Sequence, residues 1–530
     1  MSFENKNDII EQDDIDSDFE GEVMPTSGSP GSDIDDILTD DLLASSEEEI
    51  KNKKRQSKKT LTKKKTPVKR ARKTTQTKLK LPQGPETWNP TEVKELSEKY
   101  PDKYWKHHAD SGSNMIQMIN KDHQLETLPT DMSDQSAIAS MTLSEDGGLL
   151  ATFSSIGSVK IFEIGDNVDE LRKIRDEDEP QIDEFFCGTF TPNGLLAVGG
   201  KIKDRQRWST EDNDNHIMPC DIKIFDMVAS KVLARLVGHA EEVLTIKAIQ
   251  FKENNYLIST SQDGSILKWH MADDWSTLIS KTKMEDNFTC MAFTVSFLPN
   301  TGNKYFLAAT DEHVRLFDFE TGKLLQTFRD LYTSYCDCVK FVKWVDEAAY
   351  FKNNGMDINH KPEDGYAWFI TRGTELCDVS EFISSKPNVC TLHKLTYPTK
   401  KNGEFKVEEI MKYTHPEYRA NSWSVKISSN GRYILAPTIY GQVYVFNMLT
   451  GKVAAIIKEH GDIEVRDVIF HPSKPLLFSC SDDGYVKVYT YKPTVKVDIE
   501  QDLDIGTVES ATITNEEAMD VEVVIDATDI

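Results

Sequence analysis

No apolar run in this chain of 530 residues reaches the ~18 that a membrane-spanning helix needs; Lys, Asp or Asn interrupts every candidate. The opening "MSFENKNDIIEQDDIDSD" is acidic and lacks the charged-then-apolar layout of a secretory signal. A soluble, intracellular protein with no membrane contact is therefore expected. Cysteine is scarce. Eight residues, at 187, 220, 290, 336, 338, 377, 390 and 480, are scattered through strand-like segments, which favours free thiols in a reducing compartment over a disulfide framework. Cys336 and Cys338 form a lone C-x-C, a spacing that puts both thiols on one face of a regular strand. With no second Cys/His pair at ligand spacing nearby, buried structural thiols are expected, and no metal.

Catalytic signatures are missing as well. The chain has no Gly-rich phosphate loop ending in Lys-Ser/Thr, no G-x-S-x-G elbow, no H-E-x-x-H and no kinase signature set. "ETGK" (320–323) and "LTGK" (449–452) read as hairpin turns. The expectation is a protein that is not an enzyme, with no cofactor and no small-molecule substrate.

What is there is charge, in blocks. Residues 1–50 hold 17 acids against one lysine, residues 51–80 hold 15 bases and no acid, and residues 493–530 hold 11 acids against one lysine. Too little apolar surface accompanies this charge to offset chain entropy, so disordered tails are expected at both ends. In "KKRQSKKTLTKKKTPVKRARK" the bases cluster as Lys53, Lys54 and Arg55, then Lys63, Lys64 and Lys65, then Lys69, Arg70, Arg72 and Lys73. Such clusters separated by a polar stretch read as a nuclear localisation signal, placing the protein in the nucleus. Nonspecific nucleic-acid contact through 51–80 is the other reading, weakened by the acidic segment before it and by the lack of aromatics to stack on bases. "LASSEEE" (43–49) sets serines before acids, a pattern suited to an acidophilic kinase.

Between the tails the chain is periodic. "GHAEEVLTIKAIQFKENNYLISTSQDGSILKW" (238–269) and "HGDIEVRDVIFHPSKPLLFSCSDDGYVKVY" (460–489) share one layout: a histidine, a strand, a turn, an apolar strand, Asp-Gly, and an alternating strand ending on an aromatic. Five looser copies cover 137–164, 185–226, 289–323, 336–379 and 421–452. The Gly-His start, the S-x-D-G turn and the terminal aromatic make residues 115–492 resemble WD-repeat β-propellers. The resemblance implies an all-β fold, a seven-bladed β-propeller with disordered charged N- and C-terminal tails. It also implies a buried hydrogen-bonded relay of His239, Asp263 and Trp269 in the third blade, and of His460, Asp483 and Tyr489 in the seventh. The expected organisation is an acidic tail (1–50), a basic segment (51–86), a short helix and linker (87–113), the propeller (114–492) and an acidic tail (493–530). Either 114–128 or "TVKVDIE" (494–500) is available as the outer strand that closes the ring.

Ahead of the repeats, Asn89, Pro90 and Glu92 read as cap, first helical residue and reciprocal capping acid of a helix over 90–99. Tyr104 and Trp105 then offer either packing on the propeller side or a docking peptide. Three irregular insertions, 201–220, 346–365 and 396–420, are candidate binding loops, with Arg205, Arg207 and Trp208 as the contact cluster. The family resemblance and the tails together point to a nuclear scaffold or adaptor for protein subunits of a chromatin- or transcription-related complex. A ribosome-biogenesis (pre-rRNA processing) factor is the alternative, since Lys-rich tails suit nucleolar assemblies. A cullin–RING substrate receptor ranks last, because blade ends such as "KWHM" and "FDFE" lack the Trp-Asp-x-Arg arginine.

Overall fold

The computed structural model describes residues 87–102 and 125–490, apart from 211–212, 285–290, 311–312, 356–364, 375, 380–381, 386, 421 and 423–424. Seven four-stranded antiparallel sheets carry the fold, each a blade with strands a to d from the axis outward, in chain order in blades 1 to 6. The inner a strands are Ile138–Leu143, Asp183–Phe190, Val243–Phe251, Ala292–Phe297, Cys336–Val342, Ser428–Ser429 and Val465–Phe470. Blade 3 shows the pattern in full. Val243–Phe251 pairs with Asn254–Ser261, then Ile266–Met271, then Leu278–Lys283. Its b strand is buried from Leu257 to Ser261, while every residue of its d strand is exposed. Gly264, at φ +72°, makes the b–c turn that a β-carbon would strain.

The core is divided among the joints between blades. Seven apolar clusters each bridge two consecutive blades, and one joins Phe478 and Val488 of blade 7 to Leu150 and Phe162 of blade 1. The ring is therefore closed: a seven-bladed β-propeller. Its last blade is completed by an N-terminal strand, β1 (Glu126–Leu128), which pairs antiparallel with Val486–Thr490 in the register Thr127↔Tyr489. The outer edge that strand c would otherwise expose is thus covered by a segment hundreds of residues away in sequence.

Helix α1, Pro90–Lys99, lies across the a–b turns of blades 3 and 4 and the c–d turn of blade 5. Asn89 caps it through Thr91 N–H. The Glu92 carboxylate takes Lys304 Nζ at 2.5 Å, a buried lysine beneath the helix. Trp88 is buried against Tyr305, Tyr397 and Phe405, and its Nε1 donates to Pro398 O at 2.7 Å.

The insertions are more ordered than their composition suggests. Residues 201–220 prolong blade 2 strands b and c into a hairpin of Leu196–Ser209 and Asp214–Asp226. Residues 346–365 include helix α2, Glu347–Asn353, whose Glu347 accepts from Tyr366 Oη and Trp368 Nε1. Residues 396–420 contain the d strand of blade 5, Lys406–Tyr413. The segment 376–379, read above as closing the fifth repeat, instead pairs with Phe382–Ser385 in a hairpin between strands b and c, and the true c strand is Val389–Thr396. Cys187, Cys220, Cys336, Cys338, Cys390 and Cys480 are free and buried. A bulge between Cys336 and Cys338 overrides simple alternation: Cys336 packs into the joint with blade 4 and Cys338 into the joint with blade 6.

Candidate functional site

Polar relays tie the loop entering a blade to its b and c strands. In blade 3, His239 Nε2 lies 2.6 Å from Ser259 Oγ, and Trp269 Nε1 donates to the same oxygen at 2.8 Å. His239 Nδ1 sits 3.3 Å from Asp263 Oδ2, which also accepts from Ala240 N–H at 2.7 Å. Burial alone would raise the Asp263 carboxyl, but bonds from His239, Ser265 and Ala240 outweigh it and hold the group well below its ordinary value. In blade 7, His460 bridges Asp483 (2.8 Å) and Ser479 (2.7 Å), and Tyr489 Oη closes the chain 3.1 Å from Ser479 Oγ in place of an indole. Blade 5 has a rewired version: Tyr332 Oη takes the position of the loop histidine, 2.8 Å from Thr371 Oγ1, and His393 Nε2 stands where tryptophan would, at 2.9 Å. Every relay joins elements of one blade, the arrangement of a structural tie.

An acidic set resembles a metal site at first sight. Asp176, Glu179 and Asp183 bring three carboxylates within ligating distance of one another. Lys223 Nζ already sits among them, at 2.8, 3.1 and 2.5 Å. Burial pulls the lysine's affinity for its proton down, and bonds to Asp176 and Asp183 push it above the ordinary value, so the internal cation is held firmly. The chemistry of this donor set is an ion-pair network with no place for a metal.

The surface is more informative. Antiparallel meanders send every d–a loop and b–c turn to one end of the ring. At that end, between blades 6 and 7, lies a groove of about 470 Å³ lined by Pro416, Glu417, Arg419, Tyr440, Gln442 and Asp462. Its walls are the loop entering blade 6, the b–c turn of blade 6 and the loop entering blade 7. Gly441, at φ +71°, fixes them together, since an added β-carbon would lie 1.8 Å from Gly461 O. Arg419 Nη1 is buried without an acceptor among the described residues. Tyr440 (52% exposed), Ile463 (46%) and Tyr485 (49%) rim the same end. An unpaired guanidinium nitrogen beside exposed aromatic and aliphatic side chains is the make-up of a protein-docking surface. No sequence motif marked it, because its residues come from three loops.

Of the residues singled out from sequence, Arg205, Arg207 and Trp208 are all exposed on the blade 2 hairpin. They do not form one cluster. Arg207 and Trp208 are consecutive strand residues, opposite His216 and Asn215, and so face opposite sides, while Arg205 is bound to Gln181 at 2.6 Å. The hairpin is pinned to the loop entering blade 3 by His216 and Glu241. Tyr104, Trp105 and the basic residues from Lys53 to Lys73 lie outside the described residues.

Residues 451–490, which take in strand d of blade 6 (Val453–Ile457) and strands a to c of blade 7, match the family model described as WD domain, G-beta repeat. Over 271 residues the chain is 21% identical to the LEC14B protein of Lithospermum erythrorhizon, covering 48% of this chain and 52% of that one. Over 336 residues it is 21% identical to Autophagy-related protein 16 of Arabidopsis thaliana, covering 58% of this chain and 56% of that one. The chain spans about half the length of the curated relatives it matches.

Proposed function

Since the chain is a WD-repeat β-propeller protein, we propose that it is a nuclear scaffold, gathering the protein subunits of a chromatin- or transcription-related assembly on the end built by d–a loops and b–c turns. WD repeats are protein-interaction modules, and such propellers generally act as scaffolds without chemistry of their own. The observation that carries the docking reading is the groove between blades 6 and 7, where Arg419 Nη1 has no acceptor among the described residues beside exposed Tyr440. Support for the nuclear reading comes from the three basic clusters between Lys53 and Lys73. Among the described residues no helix is long and apolar enough to cross a membrane.

The test is affinity capture from nuclear extract with the full chain and with an Arg419→Ala, Tyr440→Ala double variant. A defined set of proteins retained by the first and lost by the second is expected. Recovery of no stable partner, or of the same set by both, counts against the reading. Neutralising Lys63, Lys64, Lys65, Lys69, Arg70, Arg72 and Lys73 should shift a fluorescent fusion from nucleus to cytoplasm; unchanged distribution removes the import assignment. RNA crosslinking with nucleolar accumulation would move the assignment to ribosome assembly.

A further inference from the structure

The inner strands place one residue of each blade at a common level around the axis. In every blade, the strand-b residue just past the position opposite the strand-c ring pairs with one residue of strand a. Those strand-a residues are Thr142, Thr189, Lys247, Ser296, Lys340 and Ser428 in blades 1 to 6. All six are solvent-accessible, and the preceding strand-a residues Met141, Val295, Val339 and Ile246 are buried in the joints between blades. By strand alternation the six side chains therefore face the axial channel. Blade 7 adds Ile469 at the same level.

One step toward the d–a loops the channel is bridged. Lys426 of blade 6 reaches past blade 7 to Ser140 Oγ (2.5 Å) in blade 1 and Phe186 O (3.0 Å) in blade 2, with Asp467 at 3.8 Å. Asp467 is itself committed to Ser140 Oγ (2.9 Å) and Met141 N–H (3.2 Å). On the other side of this bridge, Lys247 and Lys340 have no carboxylate or hydrogen-bond acceptor among the described residues. Lys247 is exposed to solvent. The surrounding protein, then Lys340 and Lys426, push its ammonium below the ordinary value against a weaker opposing pull from Asp467. Two cations with no carboxylate partner among the described residues thus share one level with four hydroxyls; Thr189 Oγ1 donates to Phe190 O at 3.4 Å, while Ser296 Oγ accepts from Phe341 N–H at 3.0 Å and keeps its own proton to donate.

We propose that the axial channel is a binding site for a small phosphate-type oxyanion, held by Lys247 and Lys340 and oriented by the hydroxyls of Thr142, Ser296 and Ser428. An anion there satisfies charges that otherwise repel one another in a restricted space. The site stands on a different part of the ring from the docking groove and does not depend on it.

Isothermal titration calorimetry of the full chain with inorganic phosphate and with tripolyphosphate tests the site. One saturable site per chain is expected, with affinity reduced at least tenfold in Lys247→Met and in Lys340→Met, and retained in Lys247→Arg. Because each Met variant removes like-charge repulsion, its melting temperature without anion should equal or exceed that of the parent chain, which separates loss of binding from loss of fold. Neutralising Lys53, Lys54 and Arg55 should leave the saturable site intact, which distinguishes it from phosphate held by the basic segment. Absence of saturable binding to either anion, or undiminished binding by the Lys247→Met, Lys340→Met double variant, overturns the proposal.

Discussion

Ser259 is a small residue with a large share of blade 3. Its hydroxyl satisfies both His239 Nε2 and Trp269 Nε1, on side chains that are almost wholly withdrawn from solvent. Ser259→Ala strands both and should cost about 2 kcal/mol or more, read as a lower midpoint in chemical denaturation; an unchanged midpoint would mean the relay holds nothing together. Glu242, in the loop entering the same blade, tests charge rather than pairing. Burial first, then Glu241 and Glu184, pushes its carboxyl from 4.5 up to about 7. The folded state therefore binds this proton more tightly than the unfolded one, and stability falls as pH rises from about 4.5 through 7. Glu242→Gln removes that titration. Its melting temperature should gain on the parent's from pH 5 to pH 8, by an amount corresponding to at most about 3 kcal/mol. A gain independent of pH would assign the effect to something other than ionisation. Asp263 and Asp483 work in the opposite sense: both are held below the ordinary carboxylate value, so their contribution is full above it and lost as pH falls through the folded value.

Among the elements, α1 is anchored at its entrance by Trp88. Trp88 fills a socket of Tyr305, Tyr397 and Phe405 beneath the helix entrance, and Asn402 accepts from the Thr87 backbone at 2.9 Å. Trp88→Ala should cost about 3–5 kcal/mol locally and raise amide exchange over residues 90–99 while leaving the blade strands protected; uniform protection in the variant would show that the helix is held by its ion pairs to Lys304 and Glu253 instead. This anchor illustrates what the sequence leaves out. Alternation and Asp-Gly turns expose the blades because they are local, and the helix cap is legible for the same reason. Trp88 meets partners 217 to 317 residues away, and nothing in "ETWNP" names them. Blade 5 was obscured differently: an inserted hairpin at 376–385 separates strands b and c, and Tyr332 and His393 exchange the residue types that usually mark the relay. The groove and the axial lysines escaped for a third reason. Each is assembled from loops or strands of different blades, so only the closed ring brings Arg419 to Asp462 or Lys247 to Lys340.

At the scale of the molecule, three residues cover the outer edge of the last blade. A ring of blades is stable only if the last sheet has its full set of strands, because an uncovered strand c would present unpaired backbone groups and the half-filled joint behind it. β1 supplies the missing strand from the N-terminal side, and the chain just beyond it stays engaged: Asp134 N–H donates to Gly484 O at 2.8 Å, and Val486 N–H to Met132 O at 2.8 Å. The strand's contribution can be separated from everything before it by comparing two truncations, one starting at residue 125 and one at residue 131. Both lack α1 and the charged N-terminal segments, and they differ only in the strand and the link after it. The shorter chain should melt several degrees lower and self-associate at micromolar concentration through the open edge of Val486–Thr490, seen by light scattering. The longer chain should remain a monomer. Equal melting temperatures and equal masses would mean that blade 7 holds the ring shut with three strands, and that the pairing of Thr127 with Tyr489 is an ornament of the fold instead of its latch.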